Sequence, residues 1–346
     1  MTVIRTDSLD PARILHQLGM KHYTVKKWHS PVKQTVNFPD NKTPWIPFAY
    51  HAARKIEFEQ ILATAPPFST FITGYYLARS TGKPLVADFR DAWLEFPFMP
   101  YKGQLQTRFV RHWEEKIVHD AYRVIVVDDN ISNALVRRYP DAESKIFVIP
   151  NGYDPDDFAE KTLPDVFTIA YLGTIRGERD PTYVLRAAEQ FAVDQHVSAK
   201  NMKFRFIGHI EEHFQNAIKK YAFVERTGHL SYKKAIKTFC NSHVAVLVTT
   251  GSEYFFPSRQ NEYLASGLPI IVCGRSEALH LLEDAFKMGY PGWFFDYGDV
   301  EGMAKKIGEI YEKYRKGILV RGRTPYKNFT REKLTQKLVE AIGVKI

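Results

Sequence analysis

Short apolar runs rich in β-branched residues alternate along this chain with longer stretches whose apolar residues recur every three or four positions. That is the pattern of parallel α/β sheets, in which buried strands are joined by amphipathic crossover helices. In the first half, 60–65, 84–89, 123–128 and 145–150 read as strands, and 49–59, 70–80, 104–120 and 130–139 as helices. The stretch 104–120 aligns Leu105, Phe109, Trp113, Ile117 and Val118 on one expected face, and Arg108, Arg111, His112 and Lys116 on the other. The earliest strand candidate is 2–6; residues 10–48, irregular, aromatic and basic, carry no clear assignment.

After "PNGYDPDDFAEKTLPD" the pattern restarts, which marks a domain boundary near residue 150. Strands are expected at 167–173, 203–208, 223–228, 244–248, 269–273 and 292–296. Helices are expected at 181–193, 211–221, 231–241, 258–266, 276–285 and 299–316, with a last one near 330–342. The expected architecture is α/β, with two facing Rossmann-like domains and a central cleft. Residues 1–150 form the first domain and 151–328 the second, and 329–346 are expected to pack back toward the first.

With 346 residues the chain suits two cores. Its formal charge of +9 favours anionic partners such as phosphorylated small molecules or an acidic lipid surface. No basic–aromatic module points to nucleic acid. The two cysteines, Cys240 and Cys273, sit in apolar runs without metal-ligand spacing and read as buried free thiols. The opening "MTVIRTDSLD" is not a signal peptide, and no apolar run approaches the roughly 20 residues of a membrane span. A cytoplasmic protein is expected, in possible peripheral contact with the inner face of a membrane.

Three stretches carry candidate chemistry. "PSRQNEYLASG" opens a helix near Ser258, where unpaired N–H groups and the positive dipole end suit a phosphate. Ser258 could cap it, Arg259 adds a forked cation, and Glu262 lies on the same face one turn deeper. There a carboxylate can accept hydrogen bonds from two neighbouring hydroxyls, such as those of a ribose; a surface ion pair between Arg259 and Glu262 is the plainer alternative. "YLGTIRGERDP" leaves a strand at Gly173 and brings Arg176 and Arg179 to a rim, as a diphosphate clamp or as a solvated basic loop. "ADFRDAW" sets Asp88, Arg90 and Asp91 at a strand end, to orient a hydroxyl or take its proton, or to close the strand as a structural pair. Asp154, Asp156 and Asp157 read as turn caps, and the histidines show no zinc-ligand spacing.

Together "ILATAPPFSTFITGYYLARSTGKPLVADFRDAW", "KIFVIPNGYDPDDF", "IAYLGTIRGERDPTYVLRAA" and "PSRQNEYLASGLPII" resemble the bacterial family-4-type glycosyltransferases of GT-B fold, over about residues 55–340. The resemblance implies transfer of a sugar from a nucleotide-sugar donor (UDP-, GDP-, ADP- or dTDP-linked) to the hydroxyl of a saccharide or lipid-linked acceptor, in polysaccharide or glycoconjugate synthesis. It implies retention of configuration and no metal or other cofactor. Arg179, or Arg176 in its place, and Arg259 correspond to the family's diphosphate-binding cations, and Glu262 to its ribose-binding glutamate. Asp88, Arg90 and Asp91 match its acceptor-side motif, and Asn151–Gly152 its interdomain turn. The glutamate found in many relatives eight positions before the ribose-binding one is replaced here by Tyr254. The family's first strand and Gly-rich loop are expected to be missing. A non-catalytic relative acting as a binding partner and a nucleotide-sugar epimerase are the alternatives.

Overall fold

The structure is a computed structural model that describes residues 2–9, 38–95, 103–158, 162–249, 259–275 and 279–343. It divides into two compact units: residues 1–150 with 336–346, and residues 151–335. Each is a parallel sheet flanked by helices.

Among the described residues, the first α-helix of this unit is α1 (Ile46–Ala53), shorter and earlier than the expected 49–59; Pro47 sits in its first turn, a favoured place for proline. Strands β1 (Ile61–Ala65), β2 (Leu85–Phe89), β3 (Arg123–Val126) and β4 (Ile146–Val148) lie in that order in one sheet. Helices α2 (Ser69–Thr81), α3 (Gln104–Asp120) and α4 (Asp129–Arg138) are the crossovers. Asp128 caps α4, its Oδ1 accepting from Ile131 N at 2.8 Å. Residues 2–9 form no strand, contrary to the expectation for 2–6.

The buried face of α3 keeps the expected Ile117 and Val118 but departs from the sequence reading elsewhere. Val110, Glu114, Ile117 and Val118 point into the core, whereas Leu105 is 79% exposed and Phe109 is exposed. Glu114 is accommodated in the interior because it has partners: Arg138 Nε donates to its Oε1 at 2.9 Å and Leu94 N to its Oε2 at 3.3 Å. Arg138 also grips Glu95, so the segment after β2 is tied to both α3 and α4.

The second unit contains β5 (Phe167–Leu172), α5 (Thr182–Asp194), β6 (Met202–Ile207), α6 (Glu212–Ile218), β7 (Val224–Gly228), α7 (Tyr232–Cys240) and β8 (Val244–Val248). These are followed by α8 (Gln260–Ser266), β9 (Ile270–Cys273), α9 (His280–Lys287), β10 (Gly292–Phe295) and α10 (Val300–Arg315). Its six strands run in the order β10-β9-β8-β5-β6-β7, all parallel. The apolar runs are long because both sheet faces are covered: β5, β8 and β9 are buried at every position. Helix α9 begins later than the expected 276, and α8 begins after the expected 258. A last helix, α11 (Arg331–Ile342), starts in the second unit and ends in the first, where Gln60 and Arg123 donate to the carbonyls of Ile342 and Ala341.

Candidate active site

Strand order reverses between β5 and β8, so the loops leaving their C-terminal ends diverge and open a crevice in the second unit. The β5 exit loop begins at Gly173, whose φ of +140° suits glycine. The end of β6 carries a second such residue, Gly208, at φ +135°. The β8 exit leads to Thr249, whose buried hydroxyl has no hydrogen-bond partner among the described residues.

Arg259 and the β5 loop meet here. The Cδ of Arg259 lies 3.8 Å from where a Gly173 β-carbon would stand. Beneath both is Tyr171, fully buried in β5, whose hydroxyl donates to Thr174 O at 3.3 Å. Burial pushes its pKa up, and the positive charges of Arg179, Arg259 and Arg176 oppose that shift. Three arginines predicted from two separate sequence stretches therefore surround one phenol. Arg179 is anchored from Nη1 to Thr174 O at 3.2 Å.

Helix α8 is fixed by side chains that sequence patterning reads as ordinary core. Leu172 N donates to the Tyr263 hydroxyl at 3.0 Å, and that hydroxyl donates to Val246 O at 2.8 Å, joining the helix to β5 and β8. Asn261 donates to the carbonyl of Asn151, at the predicted Asn-Gly turn. Arg259 occupies the N-cap position without capping through its side chain, and Ser258, expected to cap, lies outside the described residues. So do Glu253 and Tyr254.

Glu262 is 7% exposed, and its Oε2 accepts no hydrogen bond among the described residues. Burial raises its pKa, against a hydrogen bond from its own backbone N–H, the charges of Arg259 and Arg331, and a side-chain hydrogen bond with Tyr232. The ion pair with Arg259 that sequence allowed as an alternative does not form in the described structure. Tyr232, with the Arg331 guanidinium 5.0 Å from its ring centroid, is pushed up to about 12 by burial and by the charge of Glu262. Tyr232 and Arg331 went unseen in the sequence, as did Tyr297, which meets the β5 exit loop from beyond β10 and feels the charges of Arg179, Glu178 and Asp180. No local spacing marks these three.

In the first unit, Asp88 is 9% exposed at the C-terminal end of β2. Its carboxyl is held above the ordinary range by burial, against Arg90 and a hydrogen bond with Thr64. Arg90 Nη1 lies 3.4 Å from Asp88 Oδ1 and donates to Ile149 O at 3.0 Å. The pair closes the strand end. Asp91 is half-buried, and Trp93 two residues on is buried and stacked on Phe68 at 5.1 Å. Asp154 Oδ1 accepts from Asp156 N at 3.2 Å, a turn-capping contact, and no cluster of metal-ligating side chains occurs among the described residues.

Two family descriptions match the chain: Glycosyltransferase Family 4 over residues 11–157 and Glycosyl transferases group 1 over residues 166–313. The chain belongs to the family-4-type glycosyltransferases of GT-B fold. No curated protein matches this glycosyltransferase closely enough to count as a relative. Among solved structures it is similar to Anabaena Alr3699/HepE in complex with UDP-glucose, with 16% identity, TM-score 0.64 and coverage of 91% of this chain and 84% of that one. It is also similar to sucrose-phosphate synthase from Thermosynechococcus elongatus, with 16% identity, TM-score 0.62 and coverage of 88% and 77%. A putative UDP-N-acetylglucosamine 2-epimerase from Listeria monocytogenes shares 11% identity at TM-score 0.58, with coverage of 87% and 78%. No helix among the described residues is long and apolar enough to cross a membrane.

Proposed function

We propose that this glycosyltransferase takes a sugar from a nucleotide-sugar donor bound in the second unit and transfers it, with retention, to a hydroxyl acceptor in polysaccharide or glycoconjugate synthesis. The observation that carries the donor assignment is the buried Oε2 of Glu262, which has no hydrogen-bond partner among the described residues and lies within the field of Arg259 and Arg331. A buried carboxylate oxygen left open is unfavourable unless a donor group arrives, and two vicinal hydroxyls of a ribose supply it. Arg259 and Arg179, with Arg176, hold the adjoining diphosphate. As the sugar departs, negative charge grows on that diphosphate, and fixed guanidinium groups stabilise it without a divalent ion. UDP-glucose bound to the similar Anabaena protein agrees with this class of donor.

Asp88, Arg90 and Asp91 are assigned to the acceptor side. The Arg90 contact with Ile149 O makes its first role structural, holding Asp88 and Asp91 in place. The exposed Leu105, Phe109, Arg108 and Arg111 on α3 suit peripheral contact with an acidic membrane, and a cytoplasmic enzyme acting on a lipid-linked acceptor is the setting proposed.

The test is turnover of UDP-, GDP-, ADP- and dTDP-sugars with and without acceptor. Acceptor-dependent release of nucleoside diphosphate is expected, reduced by orders of magnitude in Glu262→Ala and in Arg259→Ala with folding intact. Conversion of donor alone would indicate an epimerase, and no turnover of any donor a non-catalytic relative.

A further inference from the structure

At the opposite ends of β5 and β8 from the donor crevice, a cleft of about 420 Å³ opens against the segment after α10. Two buried polar groups line it with nothing to bind. Ser242, fully buried, has a hydroxyl without a partner among the described residues. His243 is 1% exposed; its Nδ1 accepts from Thr168 N at 3.0 Å, which leaves the imidazole proton on Nε2, and Nε2 also has no partner.

The third polar lining group is Arg321. Its Nη1 donates to Ser266 O at 3.2 Å, and its Nη2 to Cys240 O at 2.8 Å and Ser242 O at 3.1 Å. Those bonds leave two of its five N–H groups unspent, and no carboxylate pairs with it among the described residues. Asp165, exposed at the rim, forms no ion pair with it. A half-buried guanidinium without a counter-charge, beside a hydroxyl and an imidazole N–H, is a donor set for an oxyanion. The remaining wall is apolar, from Leu163, Leu319 and the Tyr314 ring.

We propose that this cleft is a second binding site of the enzyme, for a small molecule carrying a phosphate or carboxylate on a compact apolar body. The Ser242 and His243 donor atoms are buried, so the oxyanion reaches them as the wall over them opens, taking hydrogen bonds from Ser242 Oγ, His243 Nε2 and Arg321, while the body lies on Leu163, Tyr314 and Leu319. Because Arg321 also holds the last turn of α8 through Ser266, the occupant contacts a residue bonded to the helix that carries Arg259 and Glu262.

Calorimetric titration of inorganic phosphate, phenyl phosphate and benzoate into the full chain tests this. Phenyl phosphate or benzoate is expected to bind saturably, with phenyl phosphate tighter than inorganic phosphate; whichever of the two aromatic probes is tighter identifies the head group. Binding persists in Arg259→Ala, which disables the donor crevice, and weakens about tenfold or more in Ser242→Ala and in Arg321→Gln, the loss of one charge-assisted hydrogen bond. If Arg321→Gln does not fold, Ser242→Ala, which removes only an unpartnered hydroxyl, decides. No saturable binding of any probe overturns the proposal. So does binding that Arg259→Ala abolishes, or that Ser242→Ala leaves unchanged. Donor turnover in Arg259→Ala is a separate assay, so failure of the donor assignment shows independently.

Discussion

The carbonyl oxygen of Gly173 lies 2.1 Å from where a β-carbon on Gly208 would stand. Two strand ends thus pass so closely that only a hydrogen fits between them. Gly208 also holds φ +135°, a conformation that L side chains rarely adopt. Gly208→Ala is therefore expected to push the β5 loop away, lower stability by about 2–4 kcal/mol and weaken nucleotide binding at least tenfold. Urea unfolding and donor titration read the two effects.

Tyr263→Phe keeps the ring and removes the hydroxyl that joins Leu172 N to Val246 O. Two buried backbone groups lose their partner, and the expected loss is about 1–3 kcal/mol. Because that hydroxyl fixes α8, donor affinity is expected to fall as well, although Tyr263 is assigned no contact with the ligand. Chemical denaturation and calorimetry check both.

Glu262 gives the empty enzyme a pH dependence whose sign follows from burial. A carboxyl with a raised pKa in the fold holds its proton more tightly there than in the unfolded chain, where the ordinary value is 4.5. Its contribution to stability is fully present below that value and is lost as pH rises through the raised one. Glu262→Gln should remove this loss. Measured against wild type from pH 4 to 8, the variant is expected to gain relative stability as pH rises while losing donor affinity.

The network of Glu114, Arg138 and Glu95 makes a different prediction. Arg138→Ala leaves two carboxylates without their cation, and Glu114 is fully buried, so a loss of about 3–5 kcal/mol is expected. The double variant Glu114→Leu/Arg138→Met should recover much of it. Thermal unfolding of the three proteins provides the comparison.

Glu114 also shows where sequence patterning reached its limit. Strands such as β5, β8 and β9 were legible because burial on both faces leaves unbroken apolar runs. On α3, Ile117 and Val118 are buried as the pattern predicted, but Leu105 and Phe109 are not, and Glu114 was missed because the partner that makes it an interior residue stands 24 positions away, on another helix. In the candidate site, Arg176, Arg179, Arg259 and Glu262 were legible as charges beside glycine or at a helix start. Tyr171, Tyr263, Tyr297, Tyr232 and Arg331 were not, since a tyrosine inside an apolar run reads the same whether or not its hydroxyl is used. Glu262 was expected on chemical grounds; that one of its buried carboxylate oxygens, Oε2, is left open became visible only in three dimensions.

The most direct measurement is a double-mutant cycle on the ribose contact. A nucleoside diphosphate that binds the wild type is compared with its 2′,3′-dideoxy analogue, each titrated into wild type and Glu262→Ala. If Glu262 holds the ribose hydroxyls, both changes weaken binding at least tenfold and the second adds little once the first is made. Two losses that simply add, or a Glu262→Ala variant that binds as wild type does, would contradict the donor assignment.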